Sequence, residues 1–328
     1  MKHGYKQQSV IAMLLLCGLL TACAPAAPSL QASVAPPPES SASSAPEPSV
    51  SSTPPEEAVP EQKADETLGE PTVVTAPETL PENQPVAAGQ ELALKLMTYN
   101  IKSGAGMDGV RDIARTAEVV RQAAPDILVL NEVDNKTLRS LHKNQAQEIG
   151  DATGCYSVFG KSCEYSGGDY GNALVTRFPI LSSEVRIMPK SPGVKGEPRS
   201  ALICRLDVRG QEVTVIGTHF GLSYEERKPE ANYLAGLIEE LDTPVILMGD
   251  LNEDSIAPEL KALHKVMNDS AILAGQEALR TFDSKQPTAR IDFIFLTQQF
   301  AVTSAAVIDT QVSDHRPYTV GVTLAAAQ

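Results

Sequence analysis

The sequence predicts an α/β domain, on three observations. Short apolar runs, Asp126–Val133 and Val245–Met248, have the length and branching of strands buried on both faces. Stretches of helical period alternate with them: Ile113, Ala117, Val120 and Ala124, and later Leu234, Leu237, Ile238 and Leu241. Polar residues able to do chemistry stand at the ends of the apolar runs. The clearest case is Pro244–Glu253, where Val245–Met248 stops at Gly249 and is followed by Asp250-Leu251-Asn252. Alternation along an extended backbone turns Asp250 and Asn252 to one side and Leu251 back into the core. Such a pair suits a water deprotonated by Asp250 while Asn252 donates to developing charge.

The N-terminus reads differently. Lys2 and Lys6 precede an apolar run, Val10–Leu20, of eleven residues, too short to span a bilayer as a helix and matched to a signal-peptide core. It ends in Leu20-Thr21-Ala22-Cys23, which resembles a bacterial lipobox with cleavage before a lipidated Cys23. The expectation is an extracytoplasmic protein anchored to a bacterial membrane. Residues 24–90 hold fourteen of the 24 prolines among Ser, Ala, Glu and Thr, without apolar periodicity, and are expected to form a tether. As a coil its ends would lie roughly 40–50 Å apart. Residues 1–90 carry 3 Lys/Arg against 10 Asp/Glu, and residues 91–328 carry 24 against 31, so each part contributes −7 to the net −14. The expected division is therefore 1–22 signal, 23–90 lipidated Cys and tether, and 91–328 one domain. Of the domain's three cysteines, Cys155 and Cys163 could pair outside the cytoplasm, and Cys204 sits in an apolar strand pattern.

Within the domain, Glu91–Tyr99 alternates as a strand and hands Asn100 to its end, before a loop containing Gly104, Gly106 and Gly109. Asp126–Val133 carries Glu132 at its end, where a carboxylate is costly unless paired or bound to metal. A helix is expected near Thr137–Asp151, strands at Tyr156–Phe159 and Ala173–Ile180, and between these strands a flexible loop, Gly167–Asn172. Arg199 precedes the strand Ala201–Val208, and Arg209-Gly210 turns into Glu212–Phe220, which carries His219. Ser223 and Glu226 have capping-box spacing. After a helix near Pro258–His264, Thr288–Leu296 places Asp292 inside an apolar strand, where it needs a partner. Asp314-His315 offers one before the strand Tyr318–Leu324; an Asp beside an imidazole fixes its tautomer and raises its pKa.

In this order the segments T-Y-N-I at 98–101, N-E-V at 131–133, G-N-A at 171–173, T-H at 218–219, G-D-L-N at 249–252, R-I-D at 290–292 and S-D-H at 313–315 resemble the endonuclease/exonuclease/phosphatase superfamily. The resemblance covers 91–328 and implies a four-layer α/β/β/α sandwich, DNase I-like, with its site at the loop-bearing edge of two packed sheets. It implies Glu132 as ligand of a divalent metal, Mg²⁺ or Mn²⁺, with Asn100 nearby and Asp314 assisting. Asp250 would orient or deprotonate the attacking water, and Asn252 would hold phosphate and nucleophile in line. His219 and His315 would donate to phosphoryl oxygens, with Asp292 holding His315. Asn172 and Arg199 would be supporting phosphate contacts.

The short glycine loop and T-H-F-G-L-S resemble the compact bacterial branch, some members of which resemble the hydrolase domain linked to lipid remodelling of glycosylphosphatidylinositol anchors. Three functions stay open: a phosphoesterase on lipid headgroups or small phosphoesters, an extracellular nuclease, and a surface binding module with a vestigial site. The complete motif set speaks against the last. The domain's net −7 and the lack of a Lys/Arg-rich stretch favour a phosphoester substrate other than nucleic acid, with the membrane reached through the anchor. The domain is expected to act as a monomer.

Overall fold

The computed structural model describes residues 69–326 except 71, 80, 86 and 88. The signal segment and Cys23 lie outside the described residues. In chain order the elements are β1 (Val74–Thr75), β2 (Leu92–Asn100), α1 (Ile113–Ala123), β3 (Ile127–Asn135), α2 (Gln145–Thr153), β4 (Tyr156–Tyr165), β5 (Gly168–Thr176) and β6 (Ile180–Ile187). There follow β7 (Ser200–Val208), β8 (Gln211–His219), α3 (Tyr224–Glu239), β9 (Val245–Asp250), α4 (Lys261–Val266), β10 (Asn268–Asp269), α5 (Ser270–Leu273), β11 (Asp292–Leu296), β12 (Phe300–Val307) and β13 (Tyr318–Leu324).

They form two mixed sheets, ordered β1-β4-β5-β3-β2-β13-β12 and β10-β11-β9-β8-β7-β6. The period-2 pattern of β2 explains how one strand serves two layers. Leu92, Leu94 and Leu96 enter the core between the sheets, whereas Met97 and Tyr99 face α1 and α2. In the second sheet Ile246 and Met248 fill the inter-sheet core, while Val245 and Leu247 pack under α3 and α4. Helices thus cover both outer faces, giving the α/β/β/α layering.

Each sheet has one parallel pair at its centre, β2/β3 and β8/β9, joined through α1 and α3. Strands β5, β13, β7 and β11 run antiparallel to these. The carboxyl ends of the parallel strands and the amino ends of their neighbours therefore share one edge, which carries every segment singled out from the sequence.

Several expectations change. Gly69, Val74, Thr75 and Asn83, assigned to the tether, are held on the domain: Val74 and Thr75 pair with Val158 and Ser157 of β4, and Gly69 N–H bonds Val185 O at 2.8 Å. Asn83 completes the strap by donating to Asp207 at 3.1 Å and accepting from Arg209 N–H at 2.9 Å. Proline content masked this docking, which uses main-chain bonds and little apolar area. Gly167–Asn172 is largely strand, since β5 begins at Gly168. Its glycines serve close approach, because a Cβ on Gly171 would lie 2.0 Å from Gly160 O. Cys155 and Cys163 are free and stand before and near the end of β4, eight residues apart in sequence, or about 25 Å along a strand, beyond disulfide reach. The helix expected near Thr137–Asp151 begins only at Gln145, capped by Asn144. The strand drawn through to Ile180 divides at Phe178-Pro179, because proline cannot donate to the ladder. Strand β12 had no sequence signal; Ala and Ser interrupt its alternation.

Candidate active site

Asp250 closes β9, 1% exposed, at the seam of the two sheets. Gly249 permits this: its φ is +150°, and a methyl group there would sit 1.8 Å from Thr218 O. Asp250 and Asn252 do share a side, but not by strand alternation. The strand ends at Asp250, and Asn252 is left-handed at φ 54°, with its own N–H donating to Asp250 Oδ1 at 2.9 Å. Leu251 is fully buried, as its place in the pattern requires. The second carboxylate oxygen accepts from Asn100 Nδ2 at 3.0 Å.

Two histidines flank that oxygen, His315 Nε2 at 3.5 Å and His219 Nε2 at 3.6 Å, and their environments push them in opposite directions. His315 Nδ1 is 2.8 Å from Asp292 Oδ2. Burial disfavours its charge, but Asp292 and Asp250 outweigh burial and raise the pKa to about 10. His315 is therefore a cation at neutral pH. His219 meets N–H donors at both ring nitrogens, Arg199 Nη1 at 3.3 Å from Nδ1 and Asn252 Nδ2 at 3.0 Å from Nε2. A protonated ring would oppose both, and burial followed by the charges of Arg199 and His315 holds its pKa well below the ordinary value. Asp250 itself is raised to about 7, chiefly by burial, with His315 pulling the other way.

Glu132 does not end its strand. It is the bulge residue of β3, where the register against β5 slips between Leu130 and Val133, and its φ of 57° swings the half-buried carboxylate toward Asn100. Asn100 Nδ2 donates to Glu132 Oε1 at 3.0 Å, so the amide nitrogen, not the oxygen, faces Glu132; a cation there would have the carboxamide turned over. Asp314 is paired with Lys102 Nζ at 2.5 Å. A second group of ligand atoms, on Asp250, Asp292 and His315, lies within 4.8 Å of one another, and Asp292 Oδ1 is buried without a partner among the described residues. The donor chemistry of these carboxylates, and of the Asn100 amide once turned, fits a hard divalent cation. Glu132 and Asn100 are the better seat, because the His315 proton already occupies the space between Asp292 and Asp250.

Asn172 and Arg199 are brought to the site in unequal ways. Arg199 is 7% exposed, its Nε without a partner among the described residues, and Nη1 shared between Glu197 at 3.0 Å and His219. Asn172 is committed inward, accepting from Asn131 at 2.8 Å and donating to Ser200 O at 3.0 Å. It acts as a strut, with one N–H at most left for a phosphate. The residue missed from the sequence is Asn131. Fully buried, it donates to Asn172 Oδ1 and Thr218 O, each at 2.8 Å, and accepts from Asp250 N–H at 2.9 Å, tying the two sheets together under the site. Its signals were an Asn inside an apolar strand and its place at the head of the N-E-V segment. Ser313 was likewise passed over: it donates to Asn100 O at 2.7 Å and accepts from His315 N–H at 3.3 Å.

Residues 97–315 match the model of the Endonuclease/Exonuclease/phosphatase family. The chain belongs to that family. As a member of it, the protein is a phosphoesterase in class. It is 28% identical over 249 residues to the uncharacterized protein YbhP of Escherichia coli, covering 70% of this chain and 95% of YbhP. Solved structures of the endonuclease/exonuclease/phosphatase fold superpose on it. The mannosyl-6-phosphatase Bt3783 of Bacteroides thetaiotaomicron does so with TM-score 0.57 at 21% identity, covering 70% of this chain and 99% of that one. TDP2 of D. rerio, solved with a single-strand DNA product, gives 0.56 at 19%, covering 70% and 98%. At these identities the two structures speak for the fold alone.

Proposed function

We propose that the protein is an extracytoplasmic, lipid-anchored, divalent-metal-dependent hydrolase acting on a phosphomonoester or phosphodiester of a lipid headgroup or small molecule. The observation that carries the hydrolytic reading is His315, clamped between Asp292 and Asp250 beside a neutral His219, with Asn100 linking the same Asp250 oxygen to Glu132. Asp250 accepts the proton of the attacking water, oriented by the backbone N–H of Asn252. His315, fixed through Nδ1 by Asp292, presents its Nε2–H to a phosphoryl oxygen and offsets the charge that develops there. Arg199 adds a second positive charge behind His219, and Asn252 holds the His219 ring. Mg²⁺ or Mn²⁺ on Glu132 and Asn100 would supply charge neutralisation at the phosphate.

The substrate class and the location rest on the sequence: the lipobox-like tetrad ending in Cys23, the proline-rich segment after it, the domain's net −7, and cations interspersed rather than aligned as a phosphate-tracking groove. The test is a panel assay with Mg²⁺ on plasmid and single-stranded DNA, RNA, phosphatidylinositol, sphingomyelin and small phosphodiesters at equal phosphate concentration. Turnover of a lipid or small phosphoester, abolished by Glu132→Ala, is expected. Rapid plasmid nicking with no lipid or small-molecule turnover would replace this reading with a nuclease.

A further inference from the structure

Next to Glu132 lies a group of cations that the chemistry above does not use. The loop after β2 and the loop after β3 enclose a cavity of about 160 Å³, lined by Arg111, Arg139 and Lys143 together with Asp112, Leu141 and Gln145. Two of these charges are answered. Arg139 is paired with Asp134 through bonds of 2.8 and 2.7 Å, and Lys143 with Glu148 at 2.8 Å. Arg111 has no ion pair among the described residues. Its Nη1 donates to the carbonyls of Lys102 at 3.2 Å and Ser103 at 2.5 Å, and its Nε and Nη2 make no bond among the described residues.

The loop is shaped to hold it there. Lys102 and Ser103 are consecutive left-handed residues, φ 47° and 52°, which turns both carbonyls to Arg111. Arg139 Nη2 donates to Ser103 Oγ at 2.7 Å, so two guanidinium groups converge on one serine. The nearby carboxylates make no direct bond to Arg111: Asp112 caps α1 through Ala114 N–H at 3.0 Å, and Glu132 accepts from Asn100. Burial, and then the Arg139 charge, lower the Arg111 pKa against the smaller opposing pulls of Asp134 and Glu132. Ser103 Oγ also donates to Glu132 O at 3.1 Å, so a single residue separates this cavity from the proposed metal carboxylate.

We propose that the cavity binds a second anionic group of the substrate, a phosphate monoester, in the open fork of Arg111 while the scissile phosphate lies at His219 and His315. That the anion belongs to a substrate rests on the hydrolase reading; that the cavity takes an anion does not. The preferred substrate is thereby one with two phosphate groups, whether in a lipid headgroup or in a soluble molecule.

The test has a binding arm and a kinetic arm, both on the full chain carrying Cys23→Ser. Inorganic phosphate is titrated calorimetrically in chelator into this protein, into Arg111→Gln and into Arg121→Gln, the last removing an exposed cation paired with Glu118. Arg111→Gln should weaken one phosphate site about tenfold or more, as loss of a charge-assisted bond does, and Arg121→Gln should leave it unchanged. In the kinetic arm, KM for phosphatidylinositol 4-phosphate in vesicles and for soluble inositol 1,4-bisphosphate should rise by a similar factor at constant kcat. Phosphatidylinositol itself should be unaffected. An effect in vesicles alone assigns the group to a lipid headgroup, and an effect on the soluble bisphosphate assigns it to a free phosphoester. Equal phosphate affinity in wild type and Arg111→Gln, or no phosphate bound at all, overturns the site. An Arg111-dependent site with no hydrolysis of any phosphoester keeps the cavity's assignment and removes the hydrolase reading instead.

Discussion

Replacing Asn131 by leucine tests whether the two sheets are held in register by one side chain. Leucine has nearly the same length, so it leaves little room for water, yet it provides neither donor nor acceptor. Asn172 Oδ1, Thr218 O and the Asp250 N–H would each lose a bond now 2.8–2.9 Å long. A buried polar group left unpaired costs about 1–3 kcal/mol. Three of them at the low end give about 3 kcal/mol, or roughly 6–12 °C in Tm for a domain of this size. Freed from Asn131, the Asp250 backbone should also shift, and kcat should fall about tenfold or more because the base is no longer aligned. Thermal unfolding followed by circular dichroism, together with metal-dependent phosphodiester hydrolysis, reads both effects. Asn131→Asp should behave alike in stability, since it keeps the acceptor for Asp250 N–H but points a carboxylate oxygen at two other oxygens. An Asn131→Leu protein with unchanged Tm and unchanged kcat would refute the strut.

Further outcomes follow from the same geometry. Activity should rise with pH as Asp250, raised to about 7, loses its proton, and fall as His315, near 10, loses its own; Asp292→Asn should move the alkaline limb to lower pH by removing the charge that holds the His315 proton, as a pH–rate profile would show. Glu132→Ala should abolish metal-dependent turnover and weaken Mn²⁺ binding measured by titration, with circular dichroism unchanged. Asp250→Ala and His315→Ala should each lower kcat by at least ~10²-fold. Cys23→Ser should release the protein from the membrane fraction, and wild-type protein found wholly soluble would remove the anchor.

Much of the site was legible because its residues stand where pattern breaks: Asp250 after four apolar residues, Asp292 within an apolar run although it opens β11, His315 beside an acid. Layering was not legible from period alone, since β2 reads as one alternating strand whether its second face meets a helix or water. The geometry of Glu132 was hidden because a bulge is a disagreement between two strands, and one strand's sequence does not contain it. The ion pair of Asp314 was hidden for a related reason: its neighbour Lys102 is distant in the chain. Asn131 escaped notice because its three partners are two backbone groups and an amide from other strands.

The strap formed by Gly69, Val74, Thr75 and Asn83 bears on how the protein is handled at the bench. Strand β4 has ten residues, and in the intact chain part of its outer edge is occupied by Val74 and Thr75. A polypeptide begun at Glu91, the boundary that composition suggests, would keep the active edge but uncover Ser157 and Val158 at the rim of the first sheet. Unpaired strand edges recruit other strands. Such a truncated preparation should therefore self-associate as its concentration rises, and its oligomers would be a product of the cloning boundary rather than a property of the enzyme.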